Sequence, residues 1–532
     1  MNDTAKRRPN ILFITSDQQR GDCYGFEGRP VRTPHLDRLA AEGTRFAACI
    51  TPNVVCQPSR ASILTGLLPM THGVHDNGIS LDPETGEAGF AGALAAAGYR
   101  TGFVGKAHFS TYNTFAPTGS PECIESSKDF GPDWTGPYMG FGHVDLMLVG
   151  HNWFPVRKPP DGLHYERWYH ADGQGDAKTD LYWGDFRETG GLAAQTWNSK
   201  LPEAWHNSAW VGDRTIDFIR ADSGADSGTP WCVWASFPDP HHPFDAPEPW
   251  CTLHHPDEID LPEHRTRDFD RRPWWHRETI EKTIEGEFAA LRTQYSRIPP
   301  QTDRQLRHLI ANYYGQISLI DHHVGRILIA LAESGQAENT VVVYSSDHGD
   351  WLGDHGLILK GPMHYEGLLR VGLILRGPGV PAGGVVGDPV STLDLPATFL
   401  DWAGADWTDA SGPDDRHSTS LRPLIENGAH NGGGNGGPNG SGRDYAYNEW
   451  ELHPNRAGVQ LSLRCVRTKT HKLTYEALSD TGELYDLAND PQEMDNRWND
   501  PGAAKVQREL MDMIRARPDD AITELNEPDG AA

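Results

Sequence analysis

Asn10-Ile11-Leu12-Phe13-Ile14-Thr15-Ser16-Asp17-Gln18 is an apolar run that ends on two polar side chains. Its core, ILFIT (11–15), is too short for a helix and reads as a strand buried on both faces. Behind it TPHLDRLAAEGTRF (33–46) has helical spacing, with Thr33 a candidate N-cap and Gly43 a candidate stop. A strand followed by an amphipathic helix is the unit of a parallel sheet covered by helices, and this chain repeats it. YRTGFVG (99–105) follows an Ala-rich helix around 89–97, NTVVVYSS (339–346) follows a long helical stretch near 304–334, and PWCVWASF (230–237) and VGLILRG (371–377) complete the series. The expected fold class is α/β, a mostly parallel central sheet flanked by helices.

In open α/β sheets ligands bind outside the carboxyl ends of the strands, so the residues just past each strand matter most. Here they are Asp17 and Gln18, then Lys106 and His108, then Asp239, His241 and His242, then Asp347 and His348. Two carboxylates held together repel unless a cation sits between them, which makes Asp17, Asp347 and His348 candidate metal ligands, with Gln18 adding a neutral oxygen. An imidazole ligand moves the preference from calcium alone toward manganese, and both stay open. Singly, an Asp after a strand is most often a cap or turn residue; the joint placement carries the argument. His108 and His241 titrate near neutrality and suit proton transfer. Among 25 histidines a lone one is usually structural, but PDPHHPF holds His241 between prolines, with His242 as its competitor.

The run Cys56-Gln57-Pro58-Ser59-Arg60-Ala61-Ser62-Ile63-Leu64-Thr65-Gly66 places a cysteine at the start of a helix with Pro58 in its first turn. Free N–H groups and the helix dipole favour negative charge there, so the run reads as an anion site holding a nucleophile. The bland alternative is an inert cysteine in a core helix. Seven fixed positions at ordinary residue frequencies recur by chance about once in a billion starts, which points to a specific origin.

With 532 residues the chain has room for one large α/β core and a smaller unit. The segmentation expected is a catalytic α/β domain over 1–427, a Gly/Asn-rich flexible loop over 428–443 and a C-terminal α+β subdomain over 444–532. Strand-like DYAYNEW (444–450), LSLRCVRTKTHKLTY (461–475) and GELYDL (482–487) precede a terminal helix near 502–516. Between about 120 and 300 the periodicity degrades and tryptophans collect among Pro, His and Asp, as in insertions that shape a pocket. A net charge of −27 argues against nucleic-acid or anionic-membrane partners, and it demands a local cluster of cations if the ligand is an anionic ester. No 18-residue apolar run occurs, and the basic N-terminus leads into an apolar stretch too short for a signal peptide, so a cytoplasmic location is expected. Seven scattered cysteines with no CxxC pair suit reduced thiols.

Together these segments resemble the type I sulfatases, the formylglycine-dependent arylsulfatase and phosphonate monoester hydrolase branch of the alkaline phosphatase superfamily. NILFITSDQ is similar to that family's first metal strand, the run from Cys56 to its signature, and GYRTGFVGKAHF to its K-x-H strand. FPDPHHPF is similar to its P-H-x-P segment, and YSSDHGDWLGDHGLILKGPMHYEGLLRVGLILRGPG to its second metal segment with a sulfate-contacting lysine. The resemblance implies an alkaline-phosphatase-like sheet with a small antiparallel C-terminal unit. It implies Cys56 converted to formylglycine by a sulfatase-maturing enzyme and hydrated to a gem-diol on one divalent ion, calcium or manganese, held by Asp17, Gln18, Asp347 and His348. One hydroxyl would attack sulfur with help from Asp347. His241 with Lys360 would protonate the leaving alcohol, and His108 would take the proton of the second hydroxyl to expel sulfate. Arg60 and Lys106 would hold the formylglycine and its oxygens, and Asn77 would face the substrate. The implied substrate is a small-molecule sulfate monoester of an aryl, alkyl or sugar alcohol. Many arylsulfatases carry Asp-Asp and Asp-Asn at the two metal segments; Asp17-Gln18 and Asp347-His348 resemble the phosphonate monoester hydrolases and choline-sulfatase-like members instead. A phosphonate or phosphate diester therefore stands as the alternative substrate. Self-association into a homo-oligomer is also left open.

Overall fold

Eight strands form the central sheet of the computed structural model, which describes residues 8–148, 150, 156–221, 228–285, 289–290, 293, 297–407, 416–428 and 443–531. In chain order they are β1 (Asn10–Ser16), β2 (Thr44–Phe46), β3 (Arg100–Lys106), β4 (His143–Met147), β5 (Trp231–Ser236), β6 (Thr340–Ser346), β7 (Leu373–Arg376) and β8 (Gly384–Val386). Across the sheet they run β8-β2-β7-β6-β1-β5-β3-β4, and only β7 pairs antiparallel with its neighbours. β1 sits in the middle, with Leu12 between Val233 and Val342 and Phe13 between Trp234 and Val343.

Side chains alternate across a strand, so β1 serves two cores. Ile11 and Phe13 join Phe103, Trp234 and Val343 beneath helices α2 (Cys56–Thr65), α3 (Phe90–Ala96) and α6 (Leu395–Ala403). Leu12 and Ile14 join Val233 and Val342 beneath α1 (Pro34–Ala41), α4 (Asn207–Arg220) and α5 (Asp303–Glu333). Every residue of β1, β5 and β6 is buried. That is why their sequences read as apolar runs rather than alternating ones.

The helix expected over 33–46 ends at Ala41, and Thr44–Phe46 is a strand instead. Gly43 is needed for close packing: a Cβ there would stand 2.1 Å from the Leu375 carbonyl oxygen. Thr33 precedes α1 without capping it, since its hydroxyl donates to Asp37 and accepts from the Gly25 amide. β4 falls in the stretch of degraded periodicity and was not foreseen.

The C-terminal unit is an antiparallel meander of β9 (Tyr445–Leu452), β10 (Leu461–Thr468), β11 (His471–Glu476) and β12 (Thr481–Asp486), followed by α7 (Ala504–Arg515). The strand-like run 461–475 is a hairpin, broken at Lys469 and Thr470. Val466, Leu473 and Leu484 pack on Leu510 and Ile514 of α7. On the other face Trp450, Leu461 and Leu463 pack on Val54, Val55, Trp351 and Leu369, which seats this sheet against the residues that lead into α2. Of the loop expected over 428–443, residues 429–442 lie outside the described residues. All seven cysteines are buried and unpaired, and no described helix is long and apolar enough to cross a membrane.

Candidate active site

α2 begins at Cys56 because Val55 is still extended (φ −131°, ψ 158°) and no side chain caps the turn. Asn77 partly replaces the cap: its Oδ1 accepts from the Gln57 amide at 2.9 Å, one of the donors a helix start leaves over. The whole of α2 is buried, so its polar residues need partners. Ser59 donates to the Asp347 carbonyl at 2.7 Å. Arg60 reaches the strand ends, with Nε donating to Asp347 at 2.9 Å and Nη1 to the Lys106 carbonyl and to Ser236 at 2.7 and 2.8 Å. Its Nη2 is 3.3 Å from Asp17.

β1, β3 and β6 bring Asp17, Lys106, Asp347 and His348 to this helix start. Asp17 accepts from Lys106 Nζ at 2.5 Å. Asp347 Oδ1 accepts from the amides of Gln18 and His348 at 3.0 and 2.9 Å. His348 Nδ1 lies 2.9 Å from the Gly349 carbonyl, an arrangement that makes Nδ1 a donor and turns Nε2 toward the site. That Nε2 stands 3.2 Å from Cys56 Sγ and 3.9 Å from both Asp17 Oδ1 and Asp347 Oδ1. One ligand atom from each of Asp17, Cys56, Asp347 and His348 lies within 4.8 Å of the others, all buried. Ligands bonded at about 2.1–2.5 Å to one divalent ion stand roughly 3–4 Å apart, so the set fits such an ion. Gln18 Oε1 adds to the fit: it is buried with no hydrogen-bond partner, while Nε2 of the same amide donates to Asp350 at 2.6 Å. Gln18 (φ 68°) and His108 (φ 55°) both hold the left-handed backbone that side chains disfavour, a strain of the kind found at functional sites.

Lys360 Nζ lies 3.1 Å from Cys56 Sγ and 3.2 Å from His348 Nε2. Burial and Asp17 push the Cys56 thiol up, but Lys360, Lys106 and His348 outweigh them and bring it down to about 5. Burial likewise opposes ionisation of Asp17, yet Lys106, Arg60 and Lys360 hold its carboxyl well below the usual range. Three cationic side chains, Arg60, Lys106 and Lys360, thus balance the carboxylates of Asp17 and Asp347 and the Cys56 thiolate, a concentration of positive charge inside an acidic protein.

His108 is buried, and neither ring nitrogen has a partner. Burial, then Lys106 and Arg60, hold its pKa well below the ordinary value, so at neutral pH it is an uncharged base. Glu122 fixes the turn behind it by accepting from the amides of His108, Phe109 and Ser110. His241 is half-buried, with Nδ1 2.6 Å from the His242 carbonyl, and the two rings stack with centroids 4.0 Å apart. His242 is the more buried, and its Nδ1 lies 3.4 Å from Gln18 Nε2. The competition between these two imidazoles thus persists in three dimensions. Past β5, Asp239 is buried with Asp245 and His206. It accepts from Ser208 at 2.5 Å, and Gln316 Nε2 bridges it to Asp245 at 3.4 and 2.9 Å.

Three contributors lacked a sequence signal strong enough to single them out. Asp350 had only its place in Asp347-His348-Gly349-Asp350. Ser236 ends an ordinary strand. Glu122 sits in aperiodic sequence, where a buried acid looks like any surface one.

Residues 9–405 match the Sulfatase family, and residues 353–519 match the family described as N-sulphoglucosamine sulphohydrolase, C-terminal. An arylsulfatase of Clostridium perfringens is 29% identical over 96% of this chain and 93% of its own length. An N-acetylglucosamine-6-O-sulfatase of Bacteroides thetaiotaomicron is 27% identical, over 96% and 86%. Among solved structures, a phosphonate monoester hydrolase from Silicibacter pomeroyi superposes with a TM-score of 0.72 at 25% identity, covering 96% of this chain and 95% of that one.

Proposed function

The chain belongs to the sulfatase family, as a type I sulfatase of the alkaline phosphatase superfamily and a sulfuric ester hydrolase; from that premise we propose that it cleaves the S–O bond of a sulfate monoester with Cys56, oxidised to formylglycine, as its nucleophile. The observation that carries the reading is the placement of Cys56 at a buried helix start between Lys360, His348 and the Lys106–Asp17 pair. Asp17, Gln18, Asp347 and His348 would hold one divalent ion next to residue 56. When bound, such an ion supplies Lewis-acid chemistry, lowering the pKa of a hydroxyl and neutralising charge on the sulfuryl oxygens.

The remaining roles follow from the side chains. Arg60 ties Asp17 and Asp347 into one rigid unit and touches the next strand through Ser236. Lys106 and Lys360 meet the negative charge that builds on the transferring group, where pre-placed cations act most strongly. His108, uncharged and without partners, accepts the proton when sulfate is expelled. His241, nearer the surface, donates to the departing alcohol, with His242 as the rival donor. Asn77 steadies the first turn of α2 and with it the nucleophile.

Peptide mass analysis of protein made with a sulfatase-maturing enzyme tests this: residue 56 should be lighter than cysteine by about 18 Da. The same protein should release inorganic sulfate from 4-nitrophenyl sulfate, and an unmodified thiol with undiminished turnover would sink the reading. Gln18 and His348 support a second reading, a phosphonate monoester or phosphodiester hydrolase acting with the same formylglycine, whereas the K-x-H pair Lys106 and His108 favours sulfate. Matched aryl sulfate, phosphonate and phosphodiester substrates decide between them by kcat/KM.

A further inference from the structure

His108 lacks any hydrogen bond that would fix the direction of its ring, since neither ring nitrogen has a partner. The charges that act on the ring are those of Lys106, Arg60, Asp17 and Lys360, the groups around Cys56. The imidazole therefore faces the site with both nitrogens uncommitted, and its aim is set by the backbone that carries it. That backbone lies in the left-handed region (φ 55°), which a side chain disfavours and the surroundings must hold.

Glu122 supplies the hold. Its Oε2 accepts from the His108 amide, and its Oε1 accepts from the amides of Phe109 and Ser110 at 3.0 and 3.1 Å. Three successive N–H groups thus converge on one carboxylate, the concave arrangement that a left-handed residue in a turn creates. The Tyr138 hydroxyl donates to the same Oε1 at 2.7 Å and stands 3.1 Å from the Ser110 hydroxyl. The Ser120 hydroxyl accepts from the Glu122 amide at 3.3 Å. The carboxyl group is buried, and among the described residues no lysine, arginine or histidine nitrogen lies within 4.0 Å of it. Burial pushes its pKa up, while the Tyr138 hydroxyl and the three amides pull against that rise. A buried acid without a counter-charge is costly, and an uncharged acceptor would serve an ordinary turn.

We propose that Glu122, steadied by Tyr138, is a positioning residue for His108: its grip on three consecutive amides imposes the backbone conformation that aims a partner-free imidazole at the nucleophile. The assignment rests on the sulfatase reading above, in which His108 acts only after the alcohol has left. In that step the remaining hydroxyl proton of residue 56 passes to the imidazole, which becomes a cation. The C–O bond to sulfate breaks as the C=O bond of formylglycine returns, and sulfate departs as the dianion. Loss of the Glu122 grip should therefore slow sulfate release and spare alcohol release.

The test follows 4-nitrophenol and inorganic sulfate separately after formylglycine-bearing, metal-loaded protein is mixed with 4-nitrophenyl sulfate. Glu122→Gln should lower kcat by about ten- to a hundred-fold, as misplacement of a catalytic group does. About one equivalent of 4-nitrophenol per enzyme should then appear ahead of sulfate, as in His108→Ala. Quenched during turnover, the peptide carrying residue 56 should be heavier by about 80 Da. Adding Glu122→Gln to His108→Ala should cost nothing further, because the carboxylate acts through that ring alone. Two products rising in step in folded Glu122→Gln, or losses that multiply in the double variant, overturn the proposal and leave the sulfatase reading standing. Should Glu122→Gln fail to fold, Tyr138→Phe decides. It removes one donor from the same carboxylate and should give the same order of products with a smaller loss, and products in step overturn the proposal here too. An unaltered enzyme that releases neither product removes the sulfatase reading, and this proposal with it.

Discussion

Two pairs of buried carboxyl groups stand on the same rim of the sheet. Asp17 and Asp347 follow β1 and β6; Asp239 and Asp245 follow β5, the other neighbour of β1, and the Asp17 amide donates to the Asp239 carbonyl at 2.9 Å. All four are almost fully buried. Both clusters also bring potential ligand atoms within the same 4.8 Å, the second together with His206. Yet Asp17 is held ionised, while burial lifts Asp239 and Asp245 to about 7. The difference lies in the partners. Arg60, Lys106 and Lys360 surround the first pair. Hydroxyls and an amide, from Ser208, Tyr182 and Gln316, meet the second, and among the described residues no lysine or arginine comes within 4.0 Å of it. Burial raises the cost of a charge, and only a placed counter-charge decides whether the charge survives. The first cluster is therefore built to meet an anion and a cation, and the second to keep a proton and brace the segment that carries His241 and His242.

Removing a ligand breaks the comparison most severely. Asp347→Ala should lower kcat by about a thousand-fold or more and abolish retention of a divalent ion, because on the proposed reading the carboxylate would serve both the ion and Arg60. Metal analysis and sulfate release on the same preparation check it; retained metal with normal turnover would assign Asp347 to structure alone. Arg60→Met should follow, at about 3–5 kcal/mol of stability, since it leaves buried Asp347 without its cation and removes one of the two cations that touch Asp17. Denaturant unfolding measures this loss, and a change below about 1 kcal/mol would show that the carboxylates find other partners.

The contrast between the clusters was only half legible in the sequence. The strand ends at Asp17, Lys106, Asp239 and Asp347 stood out because buried parallel strands are short apolar runs with abrupt polar ends. The helix start at Cys56 stood out through its proline and its improbable composition. What pairs with what was not legible. Gln316 lies in the middle of α5, far along the chain from Asp239, and nothing local in SLIDHHVGR or the preceding turn marks an inward-facing amide. β2 was hidden because three residues after a helix carry no period, and β4 because the segment around it alternates Pro, Gly and aromatics.

Gln316 offers the next test. Gln316→Leu removes the amide that donates to Asp239, to Asp245 and to the Pro243 carbonyl, and should cost about 1–3 kcal/mol. It should also raise the entropy of the His241–His242 segment, so kcat should fall while metal content holds. A loss of metal would mean that the two clusters are one unit.

The smallest effect concerns protons. Asp245 has an ordinary unfolded pKa near 3.9 and a folded value of about 7, set first by burial. The folded state therefore binds the proton more tightly than the unfolded chain. The stability gained is full below about pH 4 and is lost as pH rises through about 7, with a limiting slope of about 1.4 kcal/mol per pH unit for one group. Asp17, with its carboxyl held low, has the opposite sign: its contribution is present above the unfolded value and disappears only in acid. Across pH 5–8 the second cluster, together with Asp350, Asp321 and Glu493, which burial also raises to about 6–7, should therefore shape the curve, and Asp17 should not. Asp245→Asn keeps an acceptor for Tyr182 but cannot ionise, so thermal unfolding at pH 5, 6, 7 and 8 should decline less steeply than in the unaltered protein. Parallel curves would place the proton elsewhere, on Asp239, and Asp239→Asn would then show the flattening.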